Sequence, residues 1–377
     1  MKPLITAFAP GRVNIIGGHT DYTGGLVLSM AIELGTTFEI ESDRSSDQLV
    51  VTSADEPGVV ELPVDGSAET RRTEEEPGWG RLLRAVLARR PDPGAPLPGG
   101  LARVTTTLPI GAGLSSSAAF EVAADLALGA DAPALDDPEW VLAAAQRCQA
   151  AEQEATGVPC GLMDQITSLA GRLGHALLLD CTSFDMEHVP LPEDALFLVA
   201  HCGEPRRLAG SGYATRRSEA EAAAAIIGPL ANASRGDVAA IGDPTLRRRA
   251  RHVISENERV RATAEAFCVG DLAAAGELMN ESHRSLATDY DVSTPALESL
   301  VEAMRAIPGV VGARITGAGF GGCAVALADR SASVCAVVSA VADTTAHTEP
   351  QLPAVLPYRH WVVTASGGAW RRSEQGR

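Results

Sequence analysis

The sequence predicts an α+β protein of two lobes. The chain has 377 residues, room for two domains at about 150 residues each. Residues 1 to about 60 alternate short apolar runs with turns, as a β-rich start does. The second half holds long helical stretches, and strands and helices do not alternate strictly as in a doubly wound sheet. With 45% hydrophobic residues the chain can bury a core and is not expected to be disordered.

The elements follow in order. Residues 65–80 are polar and read as a surface loop. Trp79 to Arg89 reads as a helix, ended by Pro91, and 91–100 is Pro/Gly-rich loop. The β-branched run around Val104 makes 101–108 a strand. Residues 113–129 form an Ala-rich helix with a serine start, and 139–155 a second one. A short strand is expected at 176–181 and a lobe boundary near Pro190, dividing the chain into 1–190 and 191–377. Helices follow at 215–227, 246–267, 271–285 and 295–306, with a strand–loop–strand patch at 310–327.

Composition removes whole function classes. Asp+Glu 48 against Lys+Arg 31 leaves a formal charge of −17. Such a chain has no general basic face for nucleic acid or an anionic membrane. The single lysine is Lys2. A Walker A loop, a protein kinase and a pyridoxal enzyme each need a lysine in a context that Lys2 does not have. The seven cysteines are scattered, without a CxxC pair, so neither a disulfide framework nor a zinc site is expected. No run of 18 apolar residues and no leader pattern occurs, and a cytoplasmic location is expected.

Three segments concentrate chemistry. In PIGAGLSSSAA (109–119) a strand feeds a glycine turn that opens a helix. Gly111 and Gly113 permit close backbone approach. Free N–H groups at a helix start favour an anion, and Ser115, Ser116 and Ser117 add hydroxyls. This arrangement handles phosphate without a lysine; a plain helix cap after a glycine turn is the alternative. APGRVNIIGGHTDY (9–22) packs Arg12, Asn14, His19, Thr20 and Asp21 into one glycine-broken segment, a pattern suited to reading hydroxyls. EQEATGVPCGLMDQ (152–165) ends a helix near Gly157 and presents Asp164 after a tight Pro/Gly turn, with Glu152 one helical face back. Two carboxylates there can divide metal binding and proton transfer. Taken singly, His19 and Asp21 read as a solvated turn, and Asp164 and Glu152 as a cap and a surface acid. ARITGAGFGG (313–322) is a further, weaker glycine loop between strands.

Together and in this order, these segments resemble the three motifs of the GHMP kinase superfamily, and most closely the galactokinase family. GYATRRSEAE (212–221) and ELMNESHRSLATDYDVS (277–293) agree as well. The resemblance spans nearly the whole chain. It implies an N-terminal ribosomal-S5-like lobe, a C-terminal ferredoxin-like lobe and a site in the cleft. It also implies transfer of the ATP γ-phosphoryl to the C1 hydroxyl of an aldose.

By the same resemblance Asp164 and Arg12 are catalytic. Gly111, Ala112, Gly113, Leu114, Ser115, Ser116, Ser117 and Ala118 cradle the nucleotide phosphates. Ser117 and Glu152 bind Mg²⁺, and Gly18, His19, Asp21, Gly161 and Tyr213 surround the sugar. A monomer or weak homodimer is expected, with a small sugar as partner.

One departure bears on the substrate. The family carries Glu where this chain has Gly18, and that Glu is implied to bind the sugar C6 hydroxyl. Its loss removes about 1.5–3 kcal/mol and suggests space for a sugar extended or modified beyond C5 or C6. In this respect the chain resembles the octose 1-kinases of lincosamide antibiotic sugar pathways. The other readings are galactose as substrate despite Gly18, a pentose such as arabinose, and a non-catalytic sugar and ATP sensor. Ser29, where Pro is usual, and Ala318, where Gly is usual, are smaller departures.

Overall fold

The computed structural model describes residues 3–65, 77–129, 133–204, 212–330 and 359–374. Strands β1 (Leu4–Ile16) and β2 (Leu26–Ser42) form an antiparallel hairpin that anchors the first sheet. β3 (Gln48–Ser53), β4 (Val59–Pro63) and β5 (Gly100–Thr106) extend it on one side, with β5 against β2 and parallel to β3. β6 (His175–Asp180) pairs with the start of β2, and β7 (Met186–Pro190) with β6.

The second sheet runs β11-β8-β10-β9. It comprises β8 (Ala195–His201), β9 (Val310–Ile315), β10 (Cys323–Asp329) and β11 (His360–Val363). β12 (Trp370–Glu374) then returns to the first sheet and pairs with β1, crossing the division expected at residue 190.

The helices fall in both halves of the chain. In the first half they are α1 (Gly78–Leu87), α2 (Ser116–Leu128), α3 (Pro138–Thr156) and α4 (Met163–Ala170). In the second half they are α5 (Gly212–Ile227), α6 (Pro244–Cys268), α7 (Leu272–Thr288) and α8 (Pro295–Arg305). α3 opens on Asp137, which accepts the Glu139 N–H, with Pro138 in its first turn, and stops at Gly157 with φ +71°.

Two sequence expectations change. The helix expected from residue 113 begins at Ser116, because Gly113 (φ +85°) and Ser115 (φ +62°) hold left-handed backbone. Asp164, expected on a turn, lies in the first turn of α4. The expected loop at 65–80 falls mostly outside the described residues.

The two lobes share a core. Val13, Ile15, Leu28 and Met30 of the first sheet pack in one buried cluster with Phe197, Val199 and Val325 of the second and Val260 of α6. This common core sets the rims of the cleft, the scaffold on which the functional loops are mounted. No helix among the described residues is long and apolar enough to cross a membrane.

Candidate active site

Two register shifts in β1, between Pro10 and Arg12 and between Asn14 and Ile16, re-aim the strand just where its polar residues stand. Arg12 is thereby buried while lining a cleft cavity of about 330 Å³. Its guanidinium forks onto Asp164, with Nε to Oδ1 and Nη2 to Oδ2 both 2.7 Å. Its third arm, Nη1, donates to the Gly113 carbonyl at 2.8 Å. One arginine therefore ties β1, the glycine loop and α4 together.

The glycine loop then leaves its helix uncapped. Ser115 stands at the N-cap of α2 in the left-handed region, unusual for a residue with a side chain. Its hydroxyl caps no N–H of α2 but donates to Asp164 Oδ2 at 2.5 Å. The first N–H groups of α2 thus meet no capping side chain at a helix end that already favours an anion. Gly111 (φ +76°) and Gly113 (φ +85°) line the approach with Ser116 and Ser117, and nothing stands within 4 Å of where a Cβ on Gly111 would be. Ala112, Leu114 and Ala118 are buried behind the loop. The Ala112 N–H bonds Pro109 O, Leu114 O accepts the Arg12 N–H, and Ala118 stands in the first turn of α2.

Glu152 projects from α3 toward the same cavity. Its Oε1 accepts from Ser117 Oγ at 2.7 Å, and its Oε2 from Gln165 at 2.9 Å and the Cys160 thiol at 3.3 Å. Gln165 also donates to Glu121, whose carboxyl is pushed well above the ordinary range by burial and by the nearby Glu152.

The third wall comes from both lobes. His19 (φ +63°) accepts or donates at Nδ1 to the Tyr22 hydroxyl, 2.8 Å away, while Nε2 lies 3.0 Å from the Ala318 carbonyl. The carbonyl can only accept, so Nε2 carries the proton, and in the neutral ring Tyr22 then donates to Nδ1. Tyr213 of α5 stacks tilted on His19, with centroids 5.8 Å apart. A Cβ on Gly161 would lie 2.1 Å from Asp21 Oδ2, so only glycine fits beside that carboxylate. Burial, then the Asp164 charge, pushes the Asp21 carboxyl up to about 6, against the pull of Arg12.

Gly18, like Ala112, Leu114 and Ala118, does not line the cavity. A Cβ there would meet Arg314 Nη2 at 2.6 Å and Leu286 Cδ2 at 3.1 Å, inside the protein. Its missing side chain faces a buried arginine, and the expected enlargement of the sugar cavity at this point is not what the packing provides. The two smaller departures are accommodated. Ser29 shares a 2.6 Å hydroxyl bond with Thr167, and Ala318 keeps ordinary backbone.

A second cavity, of about 490 Å³, opens beside the first and shares Ser116 and Ser117 with it. Pro77, Trp79, Leu82, Ile110 and Phe120 give it apolar walls. Sequence reasoning missed it, since its walls come from four separate segments. The one available signal was a tryptophan next to a polar loop.

The family models agree with this geometry. Residues 1–41 match the galactokinase galactose-binding signature, 81–172 the GHMP kinases N terminal domain and 263–346 the GHMP kinases C terminal domain. A galactokinase from Homo sapiens is 44% identical over 342 residues, covering 88% of this chain and 86% of that protein. One from Roseiflexus sp. is 39% identical over 344 residues, covering 88% and 85%. The structure of Lactococcus lactis galactokinase complexed with galactose superposes with a TM-score of 0.80 at 31% identity, over 97% of this chain and 94% of that one. Methanococcus jannaschii mevalonate kinase, at 17% identity and a TM-score of 0.65 over 96% and 98%, shares the fold. With two carboxylates and a forked arginine around an uncapped helix, and with these matches over most of its length, the chain is a sugar kinase and belongs to the galactokinase family of GHMP kinases.

Proposed function

We propose that this protein transfers the γ-phosphoryl group of ATP to the C1 hydroxyl of a galacto-configured aldose, galactose itself first. The observation that carries this reading is the Arg12–Asp164–Ser115 cluster. It stands between the uncapped α2 on one side and Asp21, His19 and Tyr213 on the other.

Phosphoryl transfer asks mostly for positioning and charge neutralisation. The sugar C1 oxygen bonds to the γ-phosphorus as the bond from that phosphorus to the β,γ-bridging oxygen breaks. Asp164 orients the hydroxyl and takes its proton, and Arg12 and the α2 N–H groups offset the charge on the phosphoryl oxygens. Ser117 and Glu152 suit magnesium: two hard oxygens 2.7 Å apart match a cation whose other ligands are phosphate and water. When bound, that ion neutralises phosphate charge. The Trp79 cavity takes the adenine. Trp79→Ala is then expected to raise the KM for ATP roughly ten-fold, as loss of base–aromatic stacking does, with the sugar KM unchanged in steady-state assays.

Asp21 gives the reading a pH signature. Its carboxyl accepts sugar hydroxyls most strongly when ionised, so the sugar KM should climb as pH falls below about 6, while the ATP KM holds. Stability moves the other way. A raised folded-state pKa means that the native state binds this proton more tightly. Asp21 therefore costs stability above pH 6, and that cost is relieved as pH falls from about 6 toward 4. Asp21→Asn should raise Tm at pH 7.5, weaken sugar binding and flatten the acid limb of the KM profile.

A second reading keeps the extended sugar, a heptose or octose of antibiotic sugar biosynthesis, and rests on the missing carboxylate at position 18. Gly18→Glu separates the two. Its Cβ must displace the end of Arg314, while its carboxylate gains the Arg314 Nε and Nη2 groups, which find no hydrogen-bond partner among the described residues. Gly18→Ala makes the clash without the gain and should cost about 1–3 kcal/mol of stability, more than Gly18→Glu. Under the galactose reading neither variant changes the preference between hexose and octose. A shift of that preference by Gly18→Glu supports the extended sugar.

A further inference from the structure

The loop that carries His19 and Asp21 is held from beneath by a carboxylate with no part in the chemistry above. Glu256 of α6 is fully buried. Its Oε1 accepts the backbone N–H groups of both Gly17 and Gly18 at 3.1 Å, and Ser282 Oγ at 2.6 Å. Its Oε2 accepts Arg259 Nε at 2.9 Å, with Arg259 Nη2 at 2.7 Å, while Arg314 Nη2 stands 3.8 Å from Oε1. One turn earlier on the same helix, His252 Nε2 lies 2.9 Å from the Gly18 carbonyl and Nδ1 2.9 Å from Ser285 Oγ. The carbonyl makes Nε2 the donor, so α6 grips Gly18 by its N–H and its C=O together.

The grip acts on a turn that has little freedom to relax. Gly17 has φ +99°, and a Cβ there would meet Leu26 O and Val27 Cα at 2.7 Å. Burial opposes the charge on Glu256, yet Arg259, with His252 and Arg314, holds its carboxyl down at about 2. Burial also draws the His252 ring down to about 4, which keeps it the neutral donor that this contact needs. Both anchors therefore keep one protonation state across the working pH range. A carboxylate this deep, with its charge matched, is costly to leave half-paired, so it fixes the loop more firmly than neutral partners would.

We propose that Glu256, seconded by His252, is a positioning residue of the sugar site: it sets the backbone of residues 17 and 18 so that His19 and Asp21 meet the sugar hydroxyls. This inference rests on the sugar-kinase reading of the cleft. Glu256→Gln keeps one acceptor but leaves Arg259 buried against an amide. The expected result is a sugar KM about ten-fold higher, with kcat and the ATP KM little changed. A lower Tm with an unaltered sugar KM would make Glu256 merely structural and overturn the proposal.

Because Glu256→Gln risks failing to fold, His252→Leu and His252→Gln form a second test. Leu removes the donor to Gly18, and Gln restores one. The sugar KM should rise in the first and recover in the second; equal values in both and in the wild type overturn the proposal. Amide hydrogen exchange at Gly17 and Gly18 supplies a readout independent of turnover. Slow exchange in the wild type and fast exchange in His252→Leu support the grip even if no sugar is phosphorylated, an outcome that would refute the kinase reading alone. Equally slow exchange in both refutes the grip.

Discussion

Asp164→Asn should lower kcat by between about 10²- and 10⁴-fold, the range for loss of a positioned proton acceptor. The substitution is nearly isosteric, so the shape of the cleft survives. The asparagine still has an oxygen to accept from Ser115 or Arg12, but it cannot take the C1 proton. It also leaves the Arg12 guanidinium, 4% exposed, facing an amide in place of a carboxylate. Some loss of Tm therefore accompanies the loss of rate, and binding must be measured apart from turnover. Calorimetry should find ATP and sugar bound to Asp164→Asn within a few-fold of the wild type. Loss of binding together with loss of kcat would mean that Asp164 organises the cleft without acting in the chemical step.

Arg12→Ala is the second large effect. This side chain makes three separate contacts: two on Asp164 and one on the glycine loop at Gly113. Its removal takes away the cation proposed to face the transferring phosphoryl group and leaves Ser115 as the remaining tie between Asp164 and the loop. A single donor aimed at transition-state charge is worth about 10²- to 10³-fold in kcat, and the loosened loop adds to that. Arg12→Lys keeps the charge and loses the fork, since an ammonium cannot match both carboxylate oxygens and the Gly113 carbonyl in one plane. It should recover only part of the rate. Full recovery by lysine, seen in single-turnover rates at saturating ATP, would show that charge alone matters and that the fork is incidental.

Much of this site was legible in the chain, for a physical reason. Phosphate binding through backbone amides demands glycines at fixed offsets before a helix, and Gly111, Gly113 and the serines after them carry that demand openly. The lone lysine sharpened the reading by removing the loops that rely on one. The Asp164 segment was also legible, although its helix was not. The Pro/Gly turn at 157–161 masked an eight-residue α4 too short to show a period.

What the sequence hid were the contacts between distant segments. Gly18 was placed in the sugar wall by the resemblance, since the family carries Glu at that position. Its surroundings are instead set by Arg314, nearly three hundred residues away, and by Glu256 in a helix whose acidic residues look like any solvated face. The apolar cavity at Trp79 and the return of β12 to β1 are likewise products of tertiary packing, which local pattern does not encode.

The most direct test is a panel of ATP·Mg²⁺ reactions with galactose, arabinose, galacto-configured heptose and octose, and no sugar. ADP is measured against product, and the phosphate position is read by ³¹P resonance. The expected result is stoichiometric ADP and a 1-phosphate, fastest with galactose and absent both without sugar and with Asp164→Asn. ATP binding without sugar-dependent ADP for any member of the panel would contradict a kinase and favour a sugar and ATP sensor.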